Sequence, residues 1–558
     1  MTTIRDHIAT LVDLALSEAQ CQGLLPEGAA DGPLVERPQN AEHGDFASSI
    51  PMRLARTMRM SPRGIAEKLA STMPDDEAVG AVSVASPGFV NIQLSAAWLA
   101  RQVDTIIEAG PTYGNVDLGT GKRVQVEFVS VNPTGPMHVG HARGAVFGST
   151  LAEVLAAAGY DVQREYYFND AGSQMVRFYQ SLYARYLQQL GRDAEVPEDG
   201  YRGEYMIDLA REIVEEDGGK YLDMAEEEQA VASLGAAGLE RMTSTARADM
   251  RDLRVVYDNW FTERSLYENG QFDRAMALLR ESGYLNERDG ATWFRSSALG
   301  DEDDKVMVRS TGAPTYFATD IAYHYNKFLE RGFDRVVDVL GADHQGHVRF
   351  MGTVPTALGV DTEKLDLIIY QLVTLKRGDE VVRASKRTGD LVTLRELVDE
   401  VGADACRFFF LTRSAQSQME FDVELAKKRS DENPVYYVQY AHARIAGILR
   451  TALERGIGHA DGDVSLLEHE AELVLIRKMV ALPDLVQMMA QRLEPHHLPH
   501  YAVELATAFH TFYERCRVVS NEPDELDLSK ARLRLVEATK TVLARCLALM
   551  LMSAPEEM

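Results

Sequence analysis

The stretch from Lys122 to Asn169 narrows the possible folds more than any other part of the chain. KRVQVEFVSV is rich in β-branched and aromatic residues from Val124 to Val131, which predicts a buried strand. Asn132-Pro133-Thr134-Gly135-Pro136 breaks it. A helix is then expected from about Gly140 to Ala158, with Gly159 as its C-terminal stop. DVQREYYFN follows as a second strand. Strand, glycine-bearing turn, helix, strand is the repeating unit of doubly wound parallel sheets.

The remaining sequence implies more than one core. A chain of 558 residues is too long for a single one, and three or four domains are expected. Hydrophobic content of 46% and charged content of 26% suit an ordinary globular protein. No apolar run approaches the ~20 residues of a membrane span. The opening MTTIRDHIATLVDLAL carries Asp within its apolar pattern, so an amphipathic helix is expected there and not a signal peptide. Cys21, Cys406, Cys516 and Cys546 are scattered without a CxxC pair, which argues against a zinc site or disulfide framework and for a reducing cytoplasm. A net charge of −27 argues against a protein that coats nucleic acid non-specifically, yet leaves room for a local basic face.

Four regions follow. Residues 1–110 read as a small α+β domain, with Ser86-Pro87-Gly88 as a tight turn between two short strands. Residues 111–382 carry the sheet pattern, with strand-like runs at Lys305–Val308, Arg335–Leu340 and Leu367–Ile369 and an acidic helical insertion at about 175–290. Residues 383–432 form a basic loop and a helical connection. From Asp404 onward the chain reads almost wholly helical, and 433–558 are a helical C-terminal domain.

Two motifs carry chemistry. Pro136-Met137-His138-Val139-Gly140-His141 sits where strand gives way to helix, a place with free backbone N–H groups suited to phosphate. Gly140 admits a close nucleotide, and two imidazoles three residues apart can donate to charge developing on phosphate. Metal ligation or helix capping by the two histidines is the competing reading, and the motif alone does not separate them. Far downstream, Arg383-Ala384-Ser385-Lys386-Arg387-Thr388 puts an ammonium on a long stem, suited to pyrophosphate. A solvated basic turn accounts better for that loop taken by itself.

Together, HVGH after a first strand and an SK-bearing loop after a last strand resemble the HIGH and KMSKS signatures of class I aminoacyl-tRNA synthetases. EFVSVNPTGPMHVGHARG (127–144), YYFNDAGSQM (166–175), PTYFATDIAYH (314–324), GADHQGH (341–347) and NPVYYVQYAHARI (433–445) are similar to segments of bacterial arginyl-tRNA synthetases, as are GDFAS and SPGFVNI near the N-terminus. The loop departs from KMSKS in having Arg383 and Ala384 for Lys and Met, but keeps the second lysine as Lys386.

The resemblance implies an α/β protein: a Rossmann-like class I synthetase catalytic domain, a small α+β N-terminal domain that contacts tRNA, and an all-α C-terminal anticodon-binding domain. It implies a monomeric, cytoplasmic enzyme acting on L-arginine, tRNA(Arg) and ATP. Mg2+ accompanies ATP as substrate, with no tightly bound protein-ligated metal and no membrane partner. His138, Gly140, His141 and Lys386 take catalytic roles, and Pro136, His344 and Ser385 join them around ATP, with Gln345 beside the adenosine. Asn169-Asp170 are expected at a similar sheet edge. Glu127, Ser130 and Asn132 match positions that contact the substrate's amino and carboxylate groups; Tyr316 and Asp320, one helical turn apart, match those that contact its side chain. A planar guanidinium with five donors calls for such acceptors, and a lysine ammonium would leave part of them unpaired. Tyr436, Tyr440, His442 and Arg444 could stack on and contact unpaired anticodon bases, although core packing explains the same spacing. ATP–pyrophosphate exchange is expected to be weak until tRNA is added.

Overall fold

A computed structural model describes residues 2–28, 32, 34–38, 40–170, 172–378, 380–382 and 392–558. Its centre is a five-stranded sheet made of β1 (Arg123–Phe128), β2 (Asp161–Phe168), β3 (Asn259–Thr262), β4 (Arg335–Gly341) and β5 (Leu365–Tyr370). All neighbours are parallel, in the order β5-β4-β1-β2-β3. The order reverses between β1 and β4, so their carboxyl ends open a crevice where ligands of such sheets bind. Val124, Val126 and Phe128 of β1 are fully buried, as expected for the central strand of a parallel sheet covered on both faces.

Helix α1 (Val139–Ala157) makes the first crossover. Gly140, Gly144 and Gly148, each four residues apart, let it lie close. A Cβ at Gly144 would meet the Tyr370 ring at 2.7 Å, and one at Gly148 would meet Phe128 at 2.3 Å. The helix therefore seats directly against β1 and β5, which fixes its N-terminus relative to the sheet edge.

Three expectations need correction. The helical insertion is interrupted at Asp252 (helices Ser173–Gln189, Glu204–Asp217 and Glu227–Asp252): Asn259–Thr262 returns to the main sheet as β3, before two further helices, Arg264–Glu268 and Gln271–Glu281. Lys305–Val308 is a strand, but in a separate antiparallel sheet with Leu285–Arg288 and Ala291–Phe294. Met419–Asp422, read as helical, pairs in parallel with Val373–Arg377. Asn259–Thr262 and Met419–Asp422 are each only four residues long and take their conformation from partners distant in sequence, which local propensity does not register; for Lys305–Val308 propensity gives the strand but not its sheet.

In the N-terminal domain, strands Val79–Ala85 and Phe89–Leu94 form the expected hairpin around Ser86-Pro87-Gly88. The domain docks on the C-terminal helices through ion pairs: Arg37 with Asp484 (2.7 Å), Arg477 with Asp45 (3.0 Å) and Arg534 with Asp104 (2.7 Å). Arg407 ties the other side together. It is fully buried, and its guanidinium donates to the Leu253 carbonyl (3.0 Å), the Met550 carbonyl, and the Ser149 and Thr150 hydroxyls (2.9 and 3.2 Å). Leu253 and Met550 are the C-caps of helices Glu227–Asp252 and Leu526–Leu549, so one cation meets two negative helix ends. Burial pulls its pKa down to about 9. Among the described residues no helix is long and apolar enough to cross a membrane.

Candidate active site

His138 is the N-cap of α1, and its ring Nδ1 accepts the Gly140 N–H (3.1 Å). His141 Nδ1 accepts the backbone N–H of His138 (3.3 Å), completing a reciprocal cap, and the two rings lie 3.5 Å apart. Capping and phosphate binding, set against each other on sequence, are compatible here. Since Nδ1 accepts on both rings, each neutral imidazole carries its hydrogen on Nε2, as a donor. Gly140 acquires a second reason: a Cβ there would meet His138 Cε1 at 2.8 Å and push the capping ring aside.

Ser385 and Lys386, with Arg383 and Ala384, lie outside the described residues, but the loop's flanks are defined. Before it, Glu380–Val382 pairs with Val373–Arg377. After it, the Val392 carbonyl accepts the Val139 N–H (3.3 Å), Thr393 bridges His138, and Leu394 N–H donates to the Met137 carbonyl (2.8 Å). The chain thus leaves the lysine loop directly onto the HVGH backbone.

Beyond β1 the chain turns sharply. Val129 and Ser130 have φ of 73° and 45°, strained values for residues with side chains, and Ser130 N–H donates back to the Phe128 carbonyl (3.1 Å). The turn brings Ser130 Oγ to Glu127 Oε1 (2.8 Å) while accepting the Tyr167 N–H (3.1 Å). Glu127, expected to meet substrate, is only 7% exposed, and its other oxygen takes a 2.6 Å bond from buried Lys327. Burial raises the Glu127 carboxyl against the pull of Lys327. Asn132 donates to Gln174 of the insertion. Asp170 accepts the Arg264 N–H (3.0 Å), the structural-turn role that competed with a ligand role on sequence.

Across the crevice, Tyr316 and Asp320 sit on α2 (Tyr316–Tyr325). Asp320 Oδ2 bonds His347 Nε2 (2.7 Å), and the Tyr316 ring lies 5.3 Å from that imidazole. Tyr316 itself is largely exposed. Asp320 is therefore no isolated surface charge. His344 and Gln345 are exposed in the turn after β4, at the crevice mouth.

Sequence reasoning missed Glu263. It follows β3 and accepts from the Tyr167 hydroxyl (2.9 Å). Burial pushes its carboxyl up, against the Tyr167 hydrogen bond, and Asp320 and Asp170 add to the rise. Burial also drives the Tyr167 hydroxyl well up, with Glu263, Asp320 and Glu127 contributing. These carboxylates surround one partly buried tyrosine, a field that favours a cation.

On helix Pro434–Glu454, Tyr436 and Tyr440 stack with centroids 5.9 Å apart, and Arg444 lies 4.6 Å over Tyr513. His442, expected at this face, is 2% exposed and bonds the Pro555 carbonyl (2.8 Å). Burial keeps its pKa low. His510, 5.0 Å from Tyr437, and Tyr513 take its place. Their helix, His497–Arg515, lies some 60 residues downstream, out of reach of spacing arguments.

A reversed parallel sheet, a histidine-capped crossover helix and a downstream segment, 392–394, bonded to that cap define a class I aminoacyl-tRNA synthetase. The domain models agree: the tRNA synthetases class I (R) catalytic domain matches residues 102–416, the arginyl tRNA synthetase N-terminal domain 6–94, and the DALR anticodon binding domain 438–558. The arginine--tRNA ligase of Dehalococcoides mccartyi is 53% identical over 555 residues, covering 100% of this chain and 99% of that protein. That of Heliobacterium modesticaldum is 47% identical over 562 residues, with the same coverage. The Thermus thermophilus arginyl-tRNA synthetase structure superposes with a TM-score of 0.77 at 23% identity, covering both chains fully, and so shares the fold. The chain belongs to the arginyl-tRNA synthetase family.

Proposed function

We propose that the crevice joins L-arginine to tRNA(Arg). The arginine carboxylate attacks the α-phosphate of Mg·ATP, giving arginyl-adenylate and diphosphate; a terminal hydroxyl of the tRNA then takes the arginyl group and AMP leaves. The observation that carries this reading is the bond network between residues 392–394 and Met137-His138-Val139, which joins the segment that follows the lysine loop in sequence to the histidine cap. His138 and His141 donate from Nε2 to the α- and β-phosphates, and Lys386 and Ser385 follow the diphosphate as it departs. Pro136 and Gly140 line the nucleotide's path, with His344 and Gln345 at the adenosine. Mg2+ enters on the triphosphate as part of the substrate.

Asp320 and Glu263 receive the guanidinium, with Tyr316 over its face; Ser130 and Asn132 orient the amino and carboxylate groups. Tyr436, Tyr440 and Arg444, joined by His510 and Tyr513, offer stacking surfaces to anticodon bases. The enzyme works as a monomer in the cytoplasm. The test is charging: purified protein, ATP and total tRNA with each amino acid in turn should yield arginyl-tRNA alone. Charging of another amino acid, or of none, refutes the reading.

Gly140→Ala is a sharper probe of the histidine cap. Moving the His138 ring by about an ångström is expected to lower kcat about a hundredfold. KM for arginine and the thermal midpoint should stay near wild type. Steady-state aminoacylation with a parallel melt checks this, and an unchanged kcat would remove His138 from the phosphate site.

A further inference from the structure

Glu127 on β1 and Asp338 on β4 are direct register partners on the two strands that bound the crevice. Two buried carboxylates placed opposite each other repel, and their pairing requires a cation. Lys327 supplies it. Its Nζ, fully buried, donates to Glu127 Oε2 (2.6 Å) and Asp338 Oδ1 (2.8 Å) and lies 4.2 Å from the Tyr323 ring centre. It sits in a π-helical turn, Asn326–Glu330, that widens the end of α2; such turns recur at functional sites.

The chain of bonds does not end there. Asp338 Oδ2 meets His324 Nε2 (2.9 Å), and His324 Nδ1 meets the Asp320 main-chain carbonyl (2.8 Å). Each ring nitrogen faces an oxygen, so His324 is tied into the network at both ends. Asp320 in turn holds His347. One continuous path runs from Ser130 through Glu127, Lys327, Asp338 and His324 to Asp320.

We propose that Lys327 is a positioning residue for arginine, holding the amino-group end of the pocket (Ser130, through Glu127) and the guanidinium end (Asp320) in one hydrogen-bonded frame. This rests on the arginine pocket put forward above. Burial opposes the lysine's charge, but Asp338 and Glu127 outweigh it and hold its pKa above the ordinary value. A buried ion pair is seldom the most stabilising filling for such a space, whereas it does specify geometry.

Lys327→Met is the test, read by steady-state aminoacylation against both small substrates. KM for arginine should rise about 30-fold and KM for ATP change by less than about twofold. The pH profile adds a signature. Without the ammonium, Glu127 and Asp338 cannot both ionise near neutrality, so one holds a proton that it loses as pH rises. The variant's kcat/KM for arginine should therefore gain a rise with pH that wild type lacks, beyond any limb the two share. The groups facing this pair are His324, the Ser130 hydroxyl and the hydroxyls of Tyr167, Tyr257 and Tyr323. Equal rises in both KM values, or a deficit independent of pH, would overturn the proposal.

Should Lys327→Met fail to fold by circular dichroism, Asp338→Asn decides. It keeps the Lys327–Glu127 pair but weakens the link to His324, and should raise KM for arginine about fivefold with ATP unaffected; no change overturns the proposal. Asp320→Asn, run alongside, separates the two ideas. If it leaves KM for arginine unmoved, the pocket itself is wrong; if it moves KM and Lys327→Met does not, only the positioning role falls.

Discussion

Asp320→Asn should lower kcat/KM for arginine about a thousandfold, equivalent to about 4 kcal/mol of lost transition-state binding. The substitution preserves shape and replaces one carboxylate oxygen by a donor that faces the donors of the guanidinium. KM for ATP should stay within about threefold, because the histidine cap and loop flanks lie on other elements. An arginine titration at saturating ATP and tRNA checks both values, and equal losses for the two substrates would detach Asp320 from the pocket. Glu263→Gln should produce a smaller effect with a pH signature. Because burial raises the Glu263 carboxyl, it takes up a proton at higher pH than an ordinary glutamate as acidity increases. Arginine needs the ionised form, so wild-type kcat/KM for arginine should fall on the acid side, and Glu263→Gln should flatten that limb. A limb that survives the substitution belongs to another group.

Arg407→Met is expected to destabilise the protein by about 3 kcal/mol while changing kcat less than about tenfold. The methionine fills most of the space, yet two helix C-caps lose a donor inside the protein. Relief of the buried charge offsets part of that loss, which is why the expected cost is not larger. Thermal unfolding followed by circular dichroism reads the change; a midpoint equal to wild type would mean that those carbonyls find other donors. Arg407→Lys should recover little, because an ammonium cannot reach both carbonyls and the Ser149 and Thr150 hydroxyls with a planar fork.

What could be read from the sequence divides along a physical line. The first strand, its proline-glycine break and the capped helix are local: propensity, periodicity and cap chemistry all act within Lys122–Gly159, and the structure follows them closely. Tyr316 and Asp320 were placed together because one helical turn is a local distance. Glu263 was hidden because the strand before it is four residues long, lies beyond a helical insertion and joins the sheet through β2, far back in the sequence. Lys327 belongs to none of the motifs read from the sequence; only the meeting of β1, β4 and α2 makes it a buried counter-ion. His442 failed in the opposite sense. Its spacing with Tyr436 and Tyr440 suggested a shared face, but the tail at Pro555 covers it, and such coverage depends on residues over a hundred positions away.

The ion pairs between the chain's two ends also bear on how the protein is made. The first domain leaves the ribosome early, while Asp484 and Arg534, which receive it, are translated some hundreds of residues later. At about 5–20 residues per second, that is a wait of roughly 20 to 80 seconds. Through that interval the nascent N-terminal domain must keep Arg37 and Asp104 hydrated and unclaimed. The face is mixed: water can stabilise the charged groups through the delay, whereas Leu99, Val103 and Ile106, which enter a core shared with the C-terminal helices, gain their cover only when those helices arrive.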